Sequence, residues 1–386
     1  HNRIVITTLD GKLKDIVGNG TIGRQDGDYQ TATFDHPQGM ALVGDGLYVA
    51  DTENHLIRRV DLSEKVVTTV AGTGEQSPWP FPGTTPNRRE RLPRRVEGAA
   101  KRTPLNSPWA LWPHGEYLFI AMAGSHQIWK MDLEEKRVGV HAGSALEDIT
   151  DGRLLPDYPY TASPSSQNSF SAFAQPSGLT GDDKWLYVAD SEGSSLRAVP
   201  FASDAKVRTV VGTSRLPSGR LFTFGDRDGT RDRVRLQHVL GVAYQDGKIY
   251  VADTYNNKIK VVDASSGTTR TLAGTGVPGR DDDKPTFDEP SGLALAGDTL
   301  LVADTNNHVI RTVDLKTSRV GTLVIEGLKP PASPKEPASP DFSGAVKVAV
   351  GATRVKPVGG QVRLQVDIQL PSGWKMNPAA PMRYYL

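Results

Sequence analysis

The sequence predicts an all-β fold: a six-bladed β-propeller with its first blade only half present, then a proline-rich linker and a partial β-sandwich-like segment. Three observations lead to this prediction. A sixteen-residue phrase recurs along the chain, its copies contain short runs rich in β-branched residues, and glycine-rich exits follow them. Four such runs per repeat are the pattern of a propeller blade, which buries its sheet only by stacking on neighbouring blades.

The phrase has three strong copies, which read LYVADTENHLIRRVDL, IYVADTYNNKIKVVDA and LLVADTNNHVIRTVDL. Two weaker copies, LFIAMAGSHQIWKMDL and LYVADSEGSSLRAVPF, lie between them, and a half copy begins at His1. The copies stand 51 to 71 residues apart, whereas a four-stranded blade usually takes about 40–45 residues, so the blades carry long insertions. The aligned "ADT" aspartate position holds Asp51, Met122, Asp190, Asp253 and Asp304.

We interpret the phrase aspartates as structural. A short carboxylate bonds turn backbone well, and its recurrence in nearly every blade argues against one catalytic role. Aspartate-rich stretches at 25–34, 225–234 and 279–285 resemble calcium loops faintly, but they lack the full ligand spacing with a terminal glutamate. Their recurrence before blades favours Asp-Gly turns over metal sites.

The predicted organisation has three parts. Residues 1–327 form the propeller, 328–341 form the linker, and 342–386 form a β-stranded segment that is too short for a complete sandwich. The half copy supplies only two strands of its blade. We expect the other two strands upstream of His1, in a longer parent protein.

Composition excludes several classes of function. The chain has no cysteine, which excludes thiol redox chemistry and cysteine-based zinc sites within it. Lys and Arg number 45 against 44 Asp and Glu, so no global charge attracts nucleic acid or anionic lipid. No apolar run is long enough to cross a bilayer, and no cofactor is indicated.

The phrase "ADTxNHxIRxxDL" resembles the signature of NHL-repeat propellers. The stretches LNSPWAL, IAMAGSHQIW, SFSAFAQPSGL and FTFGDRDG further resemble the thioredoxin-fused NHL proteins. That resemblance implies an upstream thioredoxin-like domain, an NHL propeller and a small β-stranded C-terminal domain. It implies no compartment, because members occur in the chloroplast lumen, the cytosol and bacteria.

One blade departs from the phrase and suggests a partner surface. It replaces Asp-Thr by Met122-Ala123 and adds aromatic and polar side chains, which often anchor partners. The alternative is a locally repacked core. The candidate surface consists of Trp109, Met122, His126, Gln127 and Trp129, together with Trp79 and Phe81 in a nearby proline-rich insertion.

A ring of residues just before the first strand of each blade could face the central channel. Some six-bladed propellers are lyases or lactonases with a zinc or calcium ion there, so a metal-dependent hydrolase or lyase is one alternative function. The ring consists of His36, Ser107, Gln175, His238 and Glu289.

A basic insertion at 88–102 holds seven basic residues against two acidic ones. Its clearest members are Arg88, Arg89, Arg94 and Arg95. RNA binding through this insertion is a second alternative. The insertion lacks interleaved aromatic residues for base stacking, which favours a solvated loop.

The function predicted from the sequence is therefore a non-catalytic scaffold that docks a protein partner or its own thioredoxin-like domain. We predict no catalytic residue and no metal ligand within this chain. Any thiol-redox activity would belong to the upstream domain that the resemblance implies.

Overall fold

The computed structural model describes residues 2–77, 97–154, 170–202 and 205–329. The chain divides into two units, His1–Pro334 and Lys335–Leu386, and all described residues belong to the first. The linker beyond residue 329 and the segment 342–386 lie outside the described residues. So do six predicted site residues: Trp79, Phe81, Arg88, Arg89, Arg94 and Arg95. No helix in the described ranges is long and apolar enough to cross a membrane.

Antiparallel strands make up nearly all regular structure, and only single turns of 3-10 helix interrupt them. A two-stranded hairpin, β1 (Ile4–Thr7) and β2 (Leu13–Val17), comes first. Five sheets of four or five strands follow in a propeller arrangement. The all-β propeller prediction is confirmed, and the described residues contain five blades plus the hairpin.

Each blade is a meander of four strands from the inner strand to the outer strand. In blades one to four a short strand from the incoming connection also pairs with the outer strand. Blades one and two contain β3 (Gly27–Asp28), β4 (Pro37–Val43), β5 (Gly46–Asp51), β6 (Leu56–Asp61) and β7 (Val66–Ala71), then β8 (Glu97–Ala99), β9 (Pro108–His114), β10 (Tyr117–Met122), β11 (Gln127–Asp132) and β12 (Arg137–Ala142). Blades three to five contain β13 (Gly152–Arg153), β14 (Pro176–Gly181), β15 (Trp185–Asp190), β16 (Ser195–Pro200) and β17 (Lys206–Val211), then β18 (Gly229–Thr230), β19 (Val242–Gln245), β20 (Lys248–Asp253), β21 (Lys258–Asp263) and β22 (Thr268–Ala273), then β23 (Pro290–Ala296), β24 (Thr299–Asp304), β25 (Val309–Asp314) and β26 (Val320–Leu323).

Both faces of a blade are buried, which explains why the phrase begins with a continuous apolar run. Successive side chains of a strand point to opposite faces of the sheet. Tyr48 and Ala50 therefore pack against blade two, whereas Val49 packs with Ile4 and Val17 of the hairpin. Each interface between neighbouring blades thus has its own apolar core.

A buried ion pair joins the second and third strands in four blades. Asp51 Oδ2 accepts a hydrogen bond from Arg58 Nη1 at 2.9 Å, and its other carboxylate oxygen accepts the N–H of Asp35 at 2.7 Å. Both charged side chains are completely buried. These contacts confirm the structural interpretation of the phrase aspartates. The equivalent pairs are Asp190 with Arg197 at 3.0 Å, Asp304 with Arg311 at 3.0 Å and Asp253 with Lys260 at 3.8 Å.

Each arginine of these pairs also binds the connection that leads into its blade. Arg197 donates to the carbonyl oxygens of Ala172 and Thr150 and to Asp151, at 2.9–3.1 Å. The Phe173 ring lies 5.2 Å from its guanidinium carbon. A buried charge is expensive unless its donors find partners. These contacts supply partners for both Nη atoms and a ring face for the guanidinium, while Nε has no hydrogen-bond partner. The same cation–ring distance is 5.1 Å for Arg58 over Phe34 and for Arg311 over Phe287.

Blade four uses a lysine, and its phrase aspartate is less well compensated. Lys260 Nζ lies 2.6 Å from Asp226 and 2.8 Å from Asp228, but 3.8 Å from Asp253. Leu236 stands where the other three blades have the phenylalanine. Burial raises the pKa of Asp253 to about 7, because the surrounding hydrogen bonds and the more distant ammonium only partly offset desolvation.

We expect Arg197→Met to lower the free energy of unfolding by about 3–5 kcal/mol, because Asp190 is then buried without its counter-charge. Urea unfolding followed by tryptophan fluorescence measures the change. Lys316→Met, which removes an exposed pair with Asp298, is the control and should leave the curve nearly unchanged. Similar small effects for both variants would contradict the role assigned to the buried pair.

The Lys260→Arg variant should become more stable relative to the parent chain as the pH rises. The folded pKa of Asp253 lies above the ordinary aspartate value of 3.8. Its contribution to stability is therefore complete below that value and is lost as the pH rises to about 7. An arginine reaches the aspartate in three other blades, so it should lower this pKa and reduce the loss.

The measurement is the difference in unfolding free energy between variant and parent at several pH values from 4 to 8. It should grow mainly between about pH 6 and pH 7, because Asp190, which has an arginine partner, still has a pKa of about 6. Lys258→Arg is the matched control, since Lys258 bonds Asp226 and not Asp253. A difference that stays constant with pH would contradict the assignment to Asp253.

Candidate functional site

The described parts of the connections between blades begin and end on one face of the propeller. The four strands of a blade alternate in direction, so the outer strand ends on the side where the inner strand begins. The turn from second to third strand lies on that side too. We call it the connection face, formed by these turns and by the described parts of segments 18–36, 72–107, 143–175, 212–241 and 274–289.

The opposite face consists of tight turns that carry charged side chains. Asp61 Oδ1 accepts the N–H groups of Ser63 and Glu64, and Asp263 caps its turn in the same way. Bonds from the Ser266 backbone and from neighbouring serine hydroxyls lower the pKa of Asp263 to about 2. This face is therefore largely polar, although it also exposes Leu9, Val66 and Tyr117, and local hydrogen bonds hold its turns.

One repeated hydrogen bond joins neighbouring blades on the connection face. The residue directly before each inner strand, or four residues before it in blade four, donates its backbone N–H to a side chain in the second-to-third turn of the preceding unit. We call these contacts latch bonds. Donor and acceptor residues all have φ between +43° and +64°, which non-glycine residues adopt at a cost. The bonds join His36 to Asn2 Oδ1 at 2.9 Å, Ser107 to His55 Nδ1 at 3.0 Å, Gln175 to His126 Nδ1 at 3.1 Å, His238 to Ser194 Oγ at 3.1 Å and Glu289 to Asn257 Oδ1 at 2.8 Å.

Burial favours the neutral form that the latch histidines need. His55 and His126 accept through Nδ1, which is an acceptor only while unprotonated. Burial lowers the pKa of both side chains below 6.5, and nearby glutamates only partly oppose it. The residue at the histidine position of the phrase therefore serves as an acceptor for the next blade. This explains why asparagine, serine or histidine stands there.

The predicted channel ring coincides with the five latch donors. Its side chains have different surroundings. His36 Nδ1 lies 2.7 Å from Asp35 Oδ1, whereas the His238 ring stacks on Tyr255 at 4.3 Å and lies 3.5 Å from Glu192. Across the described ranges, no three histidine, aspartate or glutamate side chains group as potential metal ligands.

Blade two replaces the ion pair by a neutral cluster. Met122 stands at the aspartate position, and its Sδ accepts the N–H of Asn106 at 3.3 Å. Trp129 stands at the cation position and donates from Nε1 to Gln127 Oε1 at 3.0 Å, while Gln127 donates to the Gly143 carbonyl at 2.9 Å. Met122, Gln127 and Trp129 are buried.

The structure therefore places these three members of the predicted partner surface in the core, as the repacked-core alternative describes. Trp109 and His126 are only partly buried. His126 receives a latch bond, and Trp109 lies on the inner strand β9.

Aspartates of the aspartate-rich stretches accept hydrogen bonds from side chains and backbone groups of the propeller. Asp228 accepts hydrogen bonds from Lys260 Nζ at 2.8 Å and from the Thr271 N–H at 2.8 Å. Asp26 receives Arg58 at 2.7 Å and the Thr69 hydroxyl at 2.9 Å. These contacts support the interpretation of the stretches as structural turns.

The connection face also exposes large apolar side chains that the repeat pattern does not predict. Phe222 and Phe224 are 80% and 53% exposed, and Tyr255 is 49% exposed. One sequence signal could have identified most of these side chains. It is an apolar residue that follows the glycine-rich exit of a blade and lies in a connection, outside the strand pattern. The exposed set comprises Ile22, Leu146, Phe222, Phe224, Tyr255 and Val277.

Hydrogen bonds hold the segment that presents the two phenylalanines. Arg220 donates from Nε to Asp148 Oδ1 at 2.6 Å and from Nη2 to the other carboxylate oxygen. This ion pair links the connection into blade four to the connection into blade three. The Thr213 hydroxyl donates to the Arg220 carbonyl at 2.6 Å. Burial alone would raise the pKa of Asp148, but hydrogen bonds from Arg220 and Thr150 lower it below the ordinary value.

Replacing a latch acceptor should destabilise the ring in a way that depends on the new side chain. We expect His55→Ala to cost about 1–3 kcal/mol, because the Ser107 N–H loses its acceptor. His55→Asn restores a short acceptor, as at Asn257, and should recover most of the loss. Urea unfolding at neutral pH measures both, and equal losses would contradict the latch.

The same variants carry a pH signature. The folded pKa of His55 lies below 6.5, so its stabilising contribution is complete above pH 6.5 and is lost as the pH falls below it. The stability advantage of the parent over His55→Asn should therefore shrink as the pH falls from 7 to 5.

Comparisons with known proteins agree with this architecture. The NHL repeat family pattern matches residues 34–59 and 236–262. NHL repeat-containing protein 2 of Homo sapiens is 36% identical over the whole chain, which covers 54% of the human protein. Protein SUPPRESSOR OF QUENCHING 1, chloroplastic, of Arabidopsis thaliana is 37% identical over 96% of the chain, which covers 34% of the plant protein.

The chain thus spans about half the length of the human relative, and less of the plant one. Among solved structures, the nidogen/laminin complex contains a chain with a TM-score of 0.48 and 14% identity, over 84% of this chain and 93% of that one. Both stretches matched by the family pattern contain a latch acceptor and a buried aspartate–cation pair. The chain therefore contains NHL repeats at these two stretches and is similar over its whole length to NHL repeat-containing protein 2.

Proposed function

We propose that this propeller is a non-catalytic scaffold whose connection face docks a protein, either a separate partner or another domain of its own polypeptide. One observation carries the proposal. In the described residues the connection face exposes these six large apolar side chains, whereas the opposite face exposes three, Leu9, Val66 and Tyr117, among charged, self-capped turns. Exposed apolar side chains grouped on one face are typical of interaction surfaces.

The chemical groups that the repeat provides are engaged within the fold, which supports a non-catalytic role. The phrase aspartates are paired with buried cations, and the latch histidines His55 and His126 accept latch bonds. A general base or nucleophile needs a free lone pair directed at a substrate. These side chains use theirs to hold strands and blades together.

Phe222 and Phe224 are well suited to anchor a partner. Aromatic side chains offer a large contact area with few rotatable bonds. The Arg220–Asp148 ion pair holds the segment that presents them, so less conformational entropy is lost on binding. Tyr255 adds a third ring, stacked on His238.

The resemblance to thioredoxin-fused NHL proteins supports a finer proposal. The chain would be the platform of a larger redox or regulatory protein, with a six-bladed ring over residues 1–327, a linker at 328–341 and a β-stranded segment at 342–386. The thioredoxin-like domain would then be one candidate for the docked protein. Any thiol chemistry would reside in that domain.

Variants of the two phenylalanines test the docking face. Proteins captured by the parent chain are identified, and their affinities are then measured for the double variant Phe222→Ser/Phe224→Ser. Truncating an anchor costs more than about 1 kcal/mol, so binding should weaken about tenfold or more. The matched control is Val66→Ser/Tyr117→Ser on the opposite side of the sheets. Equal affinities for the two double variants would contradict docking on the connection face.

A further inference from the structure

A group of arginines follows the two exposed phenylalanines along the connection into blade four. We call Arg227, Arg231, Arg233 and Arg235 the arginine cluster. Arg227 and Arg233 are exposed, whereas Arg231 and Arg235 are partly buried. The connection face therefore presents several guanidinium groups beside its apolar anchors, and the surroundings of these groups decide what they can bind.

Two members of the cluster are held opposite each other. The backbone N–H of Arg227 donates to the Arg235 carbonyl at 3.0 Å, and the reverse bond measures 2.9 Å. In an antiparallel pair, the side chains of directly opposed residues leave the backbone on the same side. Arg227 Nε donates to the Arg233 carbonyl at 2.5 Å. Arg235 Nη1 donates to the carbonyls of Asp232 and Val234 at 2.6 and 2.8 Å. Both guanidinium groups therefore converge on one short turn.

No carboxylate neutralises the cluster within the described ranges. The ion pairs that arginines form there all involve other arginines. The acidic neighbours Asp226 and Asp228 bind Lys258 and Lys260 instead, at 2.5–2.8 Å. Successive side chains of an extended segment point to opposite sides, so Arg227 points away from both aspartates. The positive charge of the cluster is therefore available to an external anion.

Arg227 and Arg235 also keep free hydrogen-bond donors. A guanidinium group carries five N–H bonds in a planar fork that matches a carboxylate. Acceptors in the described part of the chain use only Nε of Arg227 and Nη1 of Arg235. Burial and the nearby charge of Arg227 lower the pKa of Arg235, and Asp232 only partly opposes this shift. A bound carboxylate would relieve the repulsion between the two cations, and their fixed side chains would lose little entropy on binding it.

The arginine cluster and the exposed phenylalanines form a continuous surface. Gly225 follows Phe224 directly, and its N–H donates to the Leu236 carbonyl at 3.0 Å. A Cβ added at Gly225 would lie 3.5 Å from the Cβ of Arg235. The backbone that carries Phe224 therefore lies against Arg235. A partner whose acidic side chains alternate with apolar ones would complement both parts of this surface.

Toward the centre of the propeller the connection face becomes acidic. Glu192 lies 3.5 Å from His238 Nδ1, and Glu289 is the next latch donor. Burial lowers the pKa of His238 although both glutamates oppose the shift, so their charges act at that ring. A long polyanion such as RNA would meet repulsion there, a few residues beyond the cluster. A short acidic segment of a protein can bind the cluster without reaching these glutamates.

We propose that the arginine cluster, together with Phe222 and Phe224, binds a short acidic segment of a partner protein that carries apolar residues between its carboxylates. The free N–H groups of Arg227 and Arg235 bind the carboxylates, and the two phenylalanines pack on the apolar residues. The inference rests on the docking role proposed above and narrows it, because it states the chemistry of the partner.

A library of random peptides displayed on phage provides a probe that assumes no partner. It is selected against the whole chain, without any variant in the selection. The peptides that are enriched should contain aspartate or glutamate next to aromatic or aliphatic residues. Enriched peptides that lack acidic residues would overturn the proposal.

Fluorescence anisotropy then measures the affinity of a labelled acidic peptide from this selection for the parent chain and its variants. Arg227→Gln/Arg235→Gln should weaken binding about tenfold or more, because charge-assisted hydrogen bonds are lost. Replacing the acidic residues of the peptide by their amides should weaken binding similarly. The two losses should not add, because both changes remove the same contacts.

Three variants test whether charge alone or folding explains the loss. Arg227→Lys/Arg235→Lys keeps the charge without the fork and should show an intermediate loss. Lys248→Gln/Arg319→Gln makes the same change in net charge at exposed positions outside the cluster and should leave the affinity nearly unchanged. Urea unfolding should show that the glutamine variant at 227 and 235 is folded at the assay conditions.

The outcomes separate this proposal from the docking role. Binding that Phe222→Ser/Phe224→Ser weakens, but Arg227→Gln/Arg235→Gln does not, would leave the docking face in place and overturn the acidic partner. Binding that neither double variant weakens would overturn both. Equal losses in the arginine variant and in its charge-matched control would show a non-specific charge effect. Arginine-dependent binding of single-stranded oligouridine that is tighter than binding of the acidic peptide would assign the cluster to nucleic acid.

Discussion

The buried contact between the phrase aspartate and the cation seven residues later organises most of this protein. It joins the end of the second strand to the third strand. The same cation binds carbonyl groups of the connection that enters the blade, as Arg197 does with Ala172 and Thr150. The connection in turn carries the latch donor. Strand pairing, blade entry and blade-to-blade linkage therefore converge on one desolvated ion pair.

Blade two shows that this position requires hydrogen-bond geometry and packing more than charge. Met122 accepts the N–H that an aspartate accepts elsewhere, and Trp129 fills the volume of the arginine. Buried ion pairs contribute little net stability compared with apolar groups of similar volume, provided no polar group loses its partner. Blade four lies between these cases, since Lys260 remains 3.8 Å from Asp253.

The two faces of the propeller have different physical tasks. The opposite face closes strands with local aspartate turns. The connection face concentrates left-handed backbone at latch donors and acceptors, and each inter-blade bond compensates part of that cost. It also carries long connections, and an ion pair between two of them presents Phe222 and Phe224 to solvent. Rigid blades with tethered apolar loops suit a docking role better than acid–base chemistry.

Much of this could be predicted from the sequence. The strands, the blade repeat, the structural aspartates and the Asp-Gly turns all depend on contacts within a few tens of residues. The positions of the ring residues also followed from the repeat. Local periodicity and turn chemistry suffice for such features because each blade is a meander of neighbouring strands.

The tertiary structure alone decided the rest. Ser107 meets His55 across 52 residues and Arg220 meets Asp148 across 72, so no local pattern reveals either contact. Burial of Met122 and Trp129, and exposure of Phe222, depend on which neighbouring blade covers each face. The sequence by itself determined how one blade is built. Only the tertiary structure decided which side chains remain at the surface, because exposure is a property of the packed blades and not of one repeat.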